Sequence, residues 1–351
     1  KFQLKLQGAG EMKSLKTLTC TSFLLTIVSL SFGNFAKAKE FYKMSTLGPG
    51  STPYVVMSTF AKIIGTHVPN VEIQVNATGA ATRHAVDAAR GKIHFFMGAP
   101  SVHSFMTRGI AMYKTMKEAP ELAKNLRGLF NFRIGSYHVM TYADSGIKTY
   151  TDMKGKKVFT GPPTGAAKVV ARAIIAGPTG YKPNKDYEEI QLGWGAAAQA
   201  FQDRQLDVYI NPTNAPSPVI NQIVLTNKVR LLGLTNEDFR TPALAKAMKI
   251  PGRTIEVIDP AVYGSNLVNT KPLKVIGAWV GLATQKDVPS DVIYAMLKAF
   301  WENVEEMHSV APWAHVITMD IALKEMNMPL HPGAVRYYKE QGMNIPASLM
   351  P

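Results

Sequence analysis

The chain is 351 residues long, carries a net charge of +14 at pH 7 and contains one cysteine. One cysteine rules out an internal disulfide framework, while the length allows two domains of ordinary size, each with its own core. Lys and Arg stand singly along the chain, with only Lys154-Gly155-Lys156-Lys157 clustered. The charge therefore reads as a solvated basic surface able to attract anionic solutes, not as a nucleic-acid footprint with interleaved aromatics.

Residue 1 is Lys, and Met12 is the expected natural start, with an upstream extension before it. Lys13 and Lys16 form a charged n-region, Leu18 to Phe32 an apolar run containing Ser and Thr, and Ala36-Lys37-Ala38 a small-residue cleavage box. That order is the pattern of an export signal. A transmembrane anchor needs about twenty strongly apolar residues, and this run is shorter and diluted by hydroxyl groups. The mature chain is expected to begin at Lys39 and to reside in the periplasm, not embedded in the membrane. Cys20 precedes most of the apolar run, unlike a lipoprotein cysteine, and would leave with the signal.

The mature chain then alternates strands and helices. Phe41 to Leu47 is a predicted strand, followed by the turn Gly48-Pro49-Gly50-Ser51-Thr52 and a helix from Pro53 to Thr66. Val71 to Asn76 is a strand, with Val71, Ile73 and Val75 on one face, followed by the turn Thr78-Gly79-Ala80-Ala81-Thr82 and a helix to Arg90. Ile93 to Met97 is a third strand. Leu126 to Phe132 and Tyr137 to Tyr142 read as two more, and Val158 to Thr160 feeds the turn from Gly161 to Ala167 and a helix to Ala176. A strand at Glu189 to Leu192, a helix near Ala196 to Arg204, a strand at Asp207 to Asn211 and a Pro-rich turn to Pro216 follow. After Thr270 come a strand from Trp279 to Thr284 and a long helix from Pro289 to His308. Such alternation implies an α/β fold whose ligands bind at the carboxyl ends of the strands, where all three Gly/Pro/Thr turns fall.

Each turn sets a helix N-terminus, with its unpaired N–H groups and positive dipole end, beside small residues. That is a way to hold a small anion without a dedicated cation. Three such turns behind an export signal point to a receptor for a small, carboxylated solute, with no cofactor and no metal required.

Catalytic motifs are sparse. Ser145-Gly146-Ile147-Lys148 has S-x-x-K spacing but lies in a predicted turn without its companion motifs. There is no G-x-S-x-G elbow and no phosphate loop, and the eight His are isolated. A binding protein, not an enzyme, is the expectation.

The chain resembles the TAXI type of substrate-binding protein that serves TRAP transporters. The resemblance rests on the order and spacing of the opening strand and Gly turn with Tyr54, the Thr78-Gly79 turn with its helix ending Arg90-Gly91-Lys92-Ile93, Ala143-Asp144-Ser145-Gly146-Ile147, Lys154-Gly155-Lys156-Lys157-Val158, Gly161-Pro162-Pro163, and His331 to Gly342. It implies a type II periplasmic-binding-protein fold, two α/β lobes joined by hinge strands around an interlobe ligand cleft. Residues 1–38 would be the extension and cleaved signal, 39–141 and 282–351 one lobe, and 142–281 the other. It also implies a monomer that delivers an organic anion to TRAP permease subunits. A sensory receptor presenting the same closed form to a chemotaxis or two-component partner is the alternative.

Carried over by position, the ligand shell draws on Gly50, Ser51, Thr52 and Tyr54, on Asn76, Thr78, Gly79, Ala80 and Ala81, on Ala99 and Pro100, on Thr160, Pro162, Pro163, Thr164, Gly165, Ala166 and Ala167, and on Asn211, Thr213 and Asn214. Many family members carry Gly-Ser-Gly-Thr after the paired prolines and Gly-Ser in the second turn, where Thr164-Gly165-Ala166-Ala167 and Gly79-Ala80-Ala81 stand here. The donors left are backbone N–H groups, Thr52, Thr78, Thr164, and Arg83 or Lys168. Arg83 either clamps a carboxylate or faces solvent one turn into its helix. Trp194 either caps the ligand or packs in the core, and Tyr263 either lines the hinge region or supports it.

Overall fold

A computed structural model describes residues 39–351, so the expected export signal and Cys20 lie outside the described residues. In the first part of the chain the elements are β1 (Glu40–Thr46), α1 (Thr52–His67), β2 (Val71–Ala77), α2 (Ala81–Ala89), β3 (Phe95–Gly98), α3 (Pro100–Thr107), α4 (Ala119–Ala123) and β4 (Leu126–Tyr142). Next come β5 (Lys157–Phe159), α5 (Ala166–Thr179), β6 (Glu188–Glu189), α6 (Trp194–Gln202), β7 (Val208–Thr213), α7 (Pro218–Thr226), β8 (Val229–Leu231), α8 (Asn236–Arg240), α9 (Pro242–Met248) and β9 (Arg253–Ile258). The chain ends with β10 (Leu273–Gln285), α10 (Ser290–Glu302), α11 (Val304–His308) and α12 (Pro332–Glu340).

The strands form one curled sheet in the order β2-β1-β3-β10-β4-β7-β5-β6, with β8 added to β4 and β9 to β10. Strands β1, β2 and β3 run parallel, as do β5, β6 and β7, while β4 and β10 run antiparallel to their neighbours. Each parallel set with its helices is an α/β lobe, and the long strands β4 and β10 join them, as the type II order requires.

Strand β4 is a single 17-residue strand, where the sequence predicts two. It pairs with β10 up to Ser136 and with β7 from Ser136 onward. At the change of partner the register slips by one residue, leaving Ile134 as a bulge between Arg133 and Gly135. Gly135 takes φ +115°, and a Cβ there would lie 2.1 Å from the Thr213 carbonyl oxygen. A glycine in a strand interior reads locally as an interruption. Here it marks the close approach that lets one strand serve both halves.

Two further boundaries differ from expectation. The last long strand begins at Leu273, six residues before Trp279, because its first half pairs with β9. The predicted helix to His308 is broken at Asn303 into α10 and α11.

Aromatic clusters anchor each half. Phe130 of β4 stacks on Phe300 at 4.9 Å and meets Phe60 and Trp301. Tyr142 stacks on Phe201 at 4.5 Å, and Phe159 stacks on Tyr209 at 5.7 Å. Burial of each such ring contributes about 2–3 kcal/mol, which fixes the sheet on either side of the crossing.

Candidate functional site

A cavity of about 200 Å³ lies over the point where β4 and β10 cross. One wall is the 47–51 turn with Ala80, Ala81, Met97, Ala99, Ser101 and Val102; the other is Pro162, Gly165, Ala166, Ala167, Trp194, Gly195, Ala198 and Val219. Its floor is built from Ile134 and Tyr137 of β4, Ala278 and Val280 of β10, Tyr209, Asn211, Pro212 and Thr213 of β7, and Arg253 at the start of β9.

Five helices begin at this cavity. Helix α1 is capped by Ser51, whose hydroxyl accepts from the Tyr54 N–H and donates to the Gly48 carbonyl at 2.8 Å. The caps of α2, α3, α5 and α6 are Ala80, Ala99, Gly165 and Gly193, and no side-chain acceptor bonds to any of these four ends. Their dipole ends and first N–H groups, which in α3 begin at Ser101 because Pro100 has none, are thus left without a capping side chain. Two of these five ends, α3 and α6, come in addition to the three turns legible in the sequence. Ala99 and Gly193 carry no capping side chain that would announce a helix start.

Of the residues expected at the site, Gly50, Ser51, Ala80, Ala81, Ala99, Pro162, Gly165, Ala166, Ala167, Trp194, Asn211 and Thr213 line this cavity. The other half are not part of its lining. Thr78 donates to Asn76 at 3.3 Å, and the His84 ring donates to the Thr78 carbonyl at 2.6 Å, so Asn76, Thr78 and Gly79 shape the turn. Burial lowers the pKa of His84. Pro100 starts α3 beneath Gly252, Pro163 and Thr164 are exposed, and Tyr54 follows the α1 cap. Trp194 lines the cavity, and its ring meets Phe159 edge-on at 5.5 Å.

Neither expected side-chain cation reaches the cavity. Arg83 is 79% exposed and pairs with Asp87 at 3.4 Å along α2. Lys168 is buried against Gln191 at 2.7 Å and Glu189 at 3.1 Å. Glu189 itself is fully buried and also binds Thr160 at 2.6 Å and Arg172. Burial alone would push its carboxyl up, but hydrogen bonds from Arg172, Thr160 and Lys168 together hold it down at about 2. Thr160 and Lys168 thus belong to a structural ion cluster under α5.

Tyr263 is buried behind the floor, its hydroxyl 2.8 Å from His138 Nε2. His138 Nδ1 lies 2.8 Å from the Ser136 carbonyl, which can only accept, so Nδ1 carries the proton and Tyr263 donates to Nε2. Burial drops the His138 pKa to about 4.

Two hydrogen bonds span the cavity rim. Asn214 Nδ2 donates to Thr52 Oγ1 at 3.0 Å, and Thr82 Oγ1 donates to the Thr164 carbonyl at 3.1 Å. Among the described residues no group of three or more His, Cys, Asp or Glu is placed to share a metal ion, and no helix is long and apolar enough to cross a membrane.

The floor residue with no counterpart among the sequence expectations is Arg253. Its Nη2 donates to Ser101 Oγ at 3.0 Å, and its guanidinium lies 6.0 Å from the Tyr137 ring centre. Its Nε and Nη1 are buried and have no hydrogen-bond partner among the described residues.

Solved structures to which the chain is similar include three periplasmic binding proteins. A TRAP periplasmic solute-binding protein from Shewanella oneidensis, solved with succinate, is 12% identical over 86% of this chain and 92% of that one, with a TM-score of 0.47. A second, from Sulfitobacter sp. with β-D-galacturonate, is 9% identical over 86% and 94%, TM-score 0.48. The periplasmic aliphatic sulphonate-binding protein of Escherichia coli is 14% identical over 86% and 84%, TM-score 0.45. At the level of sequence, the NMT1-like family model matches residues 44–342, and the chain belongs to that family.

Proposed function

We propose that this protein is a periplasmic solute receptor of the TAXI type, which takes up a small organic anion between its two lobes and hands it to the permease of a TRAP transporter. The observation that carries this reading is the convergence of four helix N-termini without side-chain caps on one mostly apolar cavity, drawn from both halves of the sheet. Such a site binds and orients an anion. It offers no nucleophile paired with a base.

In this reading the rim bonds Thr52–Asn214 and Thr82–Thr164 belong to the closed form, and the solute favours closure by the difference in its affinity for the two forms. The lobes are then 39–141 with 282–351, and 142–281, turning about β4 and β10.

The test is a thermal-shift panel on the protein freed of copurified solute, covering carboxylic acids, keto acids, amino acids and sulfonates. A solute at a hundred times its dissociation constant raises stability by about 2.7 kcal/mol. A saturable shift with an organic anion, unchanged on prolonged incubation and without conversion of the solute, is the expected result. Turnover of the solute, or no response to any anion, would sink the proposal.

A further inference from the structure

We propose that Arg253 is the charged anchor of the cavity and that the solute is a monocarboxylic acid with an apolar body. This rests on the receptor reading above and narrows it to a class of solute.

Three observations carry it. Arg253 is the only charged side chain among the described residues that line the cavity, and no Asp or Glu lines it. Among the described residues no carboxylate forms an ion pair with Arg253, although Glu256, also on β9, is paired with Arg133 of β4. The buried Nε and Nη1 of Arg253 have no acceptor among the described residues.

The guanidinium geometry limits what can fill that gap. Ser101 takes one of the two protons on Nη2. Each edge of a guanidinium pairs Nη2 with either Nε or Nη1, so one two-donor edge stays free whichever proton Ser101 uses. A carboxylate presents two oxygens at the matching spacing. Buried cationic donors without acceptors are unfavourable, and an arriving carboxylate removes that penalty.

The remaining walls decide the rest of the molecule. Met97, Ile134, Val219 and Val280 are apolar, and Trp194 and Tyr137 present aromatic rings. A second carboxylate would leave water with helix dipole ends but no second cation to meet it, and an ammonium would find no opposite charge at all. Dicarboxylates and amino acids are therefore selected against, while a benzoate-like or branched keto acid matches one cation and one apolar chamber.

The experiment is calorimetric titration of the protein with benzoate, phenylacetate and 4-methyl-2-oxopentanoate, against succinate, glutamate and uncharged benzamide. It is repeated on Arg253→Met and Arg253→Lys, with melting of each solute-free protein recorded. The monoacids are expected to bind most tightly. Arg253→Met should weaken them roughly 100-fold, with Arg253→Lys in between and the solute-free melting temperature not lowered. A structural role for Arg253 would lower that melting temperature. If the Met variant fails to fold, the Lys variant decides the point, since it keeps the charge but not the edge. Monoacids bound equally by wild type and both variants would overturn the anchor and leave the receptor reading standing. Tighter binding of succinate or glutamate would overturn the solute class, and no binding of any acid would overturn the receptor reading as well.

Discussion

Asn214 and Thr52, 162 residues apart in sequence, share a buried hydrogen bond of 3.0 Å from amide to hydroxyl, across the rim of the cavity. It ties the residue after β7 to the first residue of α1, so each half of the molecule contributes one partner. Thr52→Val keeps the shape and removes the acceptor. Leaving the Asn214 amide buried and unpaired is expected to cost about 1–3 kcal/mol, seen as weaker solute binding of roughly 5- to 150-fold. Calorimetry with the best solute, alongside melting of the solute-free protein, separates the outcomes. Unchanged affinity with lowered stability would make this a contact of the fold and not of closure.

Gly165 tests the helix N-termini. It is the N-cap of α5 with φ −75°, so a side chain is compatible with its backbone. An Asp there would accept from the first N–H groups of α5 and favour the helix by a few tenths of a kcal/mol. The same carboxylate would put a negative charge in the cavity wall, against the proposed anionic solute. Gly165→Asp is expected to keep or raise the denaturation midpoint while abolishing binding. Retained affinity would remove α5 from the anion site.

Two buried histidines predict acid sensitivity. Burial lowers the pKa of both His138 and His103 to about 4, against about 6.5 in the unfolded chain. The unfolded state takes up protons first, so stability is full above pH 6.5 and is lost as pH falls toward 4. For His138 the loss between pH 7 and pH 5 is about 2 kcal/mol. Urea unfolding at the two pH values should show this fall, and His138→Gln should reduce it. An identical fall in the variant would clear His138 of the effect.

Glu189 sets a second, lower acid limit. Its carboxyl is held at about 2, so its contribution is present above about pH 4.5 and fades as pH drops from there to 2. Glu189→Ala leaves Lys168 buried without its counter-charge and is expected to cost about 3–5 kcal/mol. Arg83→Ala, at an exposed ion pair, should change stability by less than about 0.5 kcal/mol and leave solute affinity untouched. A large affinity loss in Arg83→Ala would return that residue to the site.

The parts of this site that local chemistry writes into sequence are the turns. Gly48 to Ser51, Ala80-Ala81 and Gly165 to Ala167 are marked by Gly and Pro followed by small helix formers, and they line the cavity. Side-chain direction is not written there. Arg83 and Lys168 sit beside the right turns, yet each finds a nearer carboxylate. Arg253 carries no local mark at all, because the alternation of β9 groups it with Ile255 and Val257, which are 54% and 61% exposed. Only the crossing of β9, β10 and β4 makes its strand position internal. The continuity of β4 was hidden for a related reason, since Gly135 looks like a break until Thr213 is seen against it.

The cavity floor is made from the same strands, β4 and β10, that join the two lobes. Rotation of the lobes about those strands displaces any group in proportion to its distance from the axle. In the proposed closure, Tyr137 and Ala278 on those strands and Arg253 paired beside them would travel least, and the starts of α2 and α5 would travel further. On the proposed function, a solute would be held by its head while the lobes are apart, and the helix ends would engage it last. Loading and locking would then be separate events, the first at Arg253 and the second at the rim.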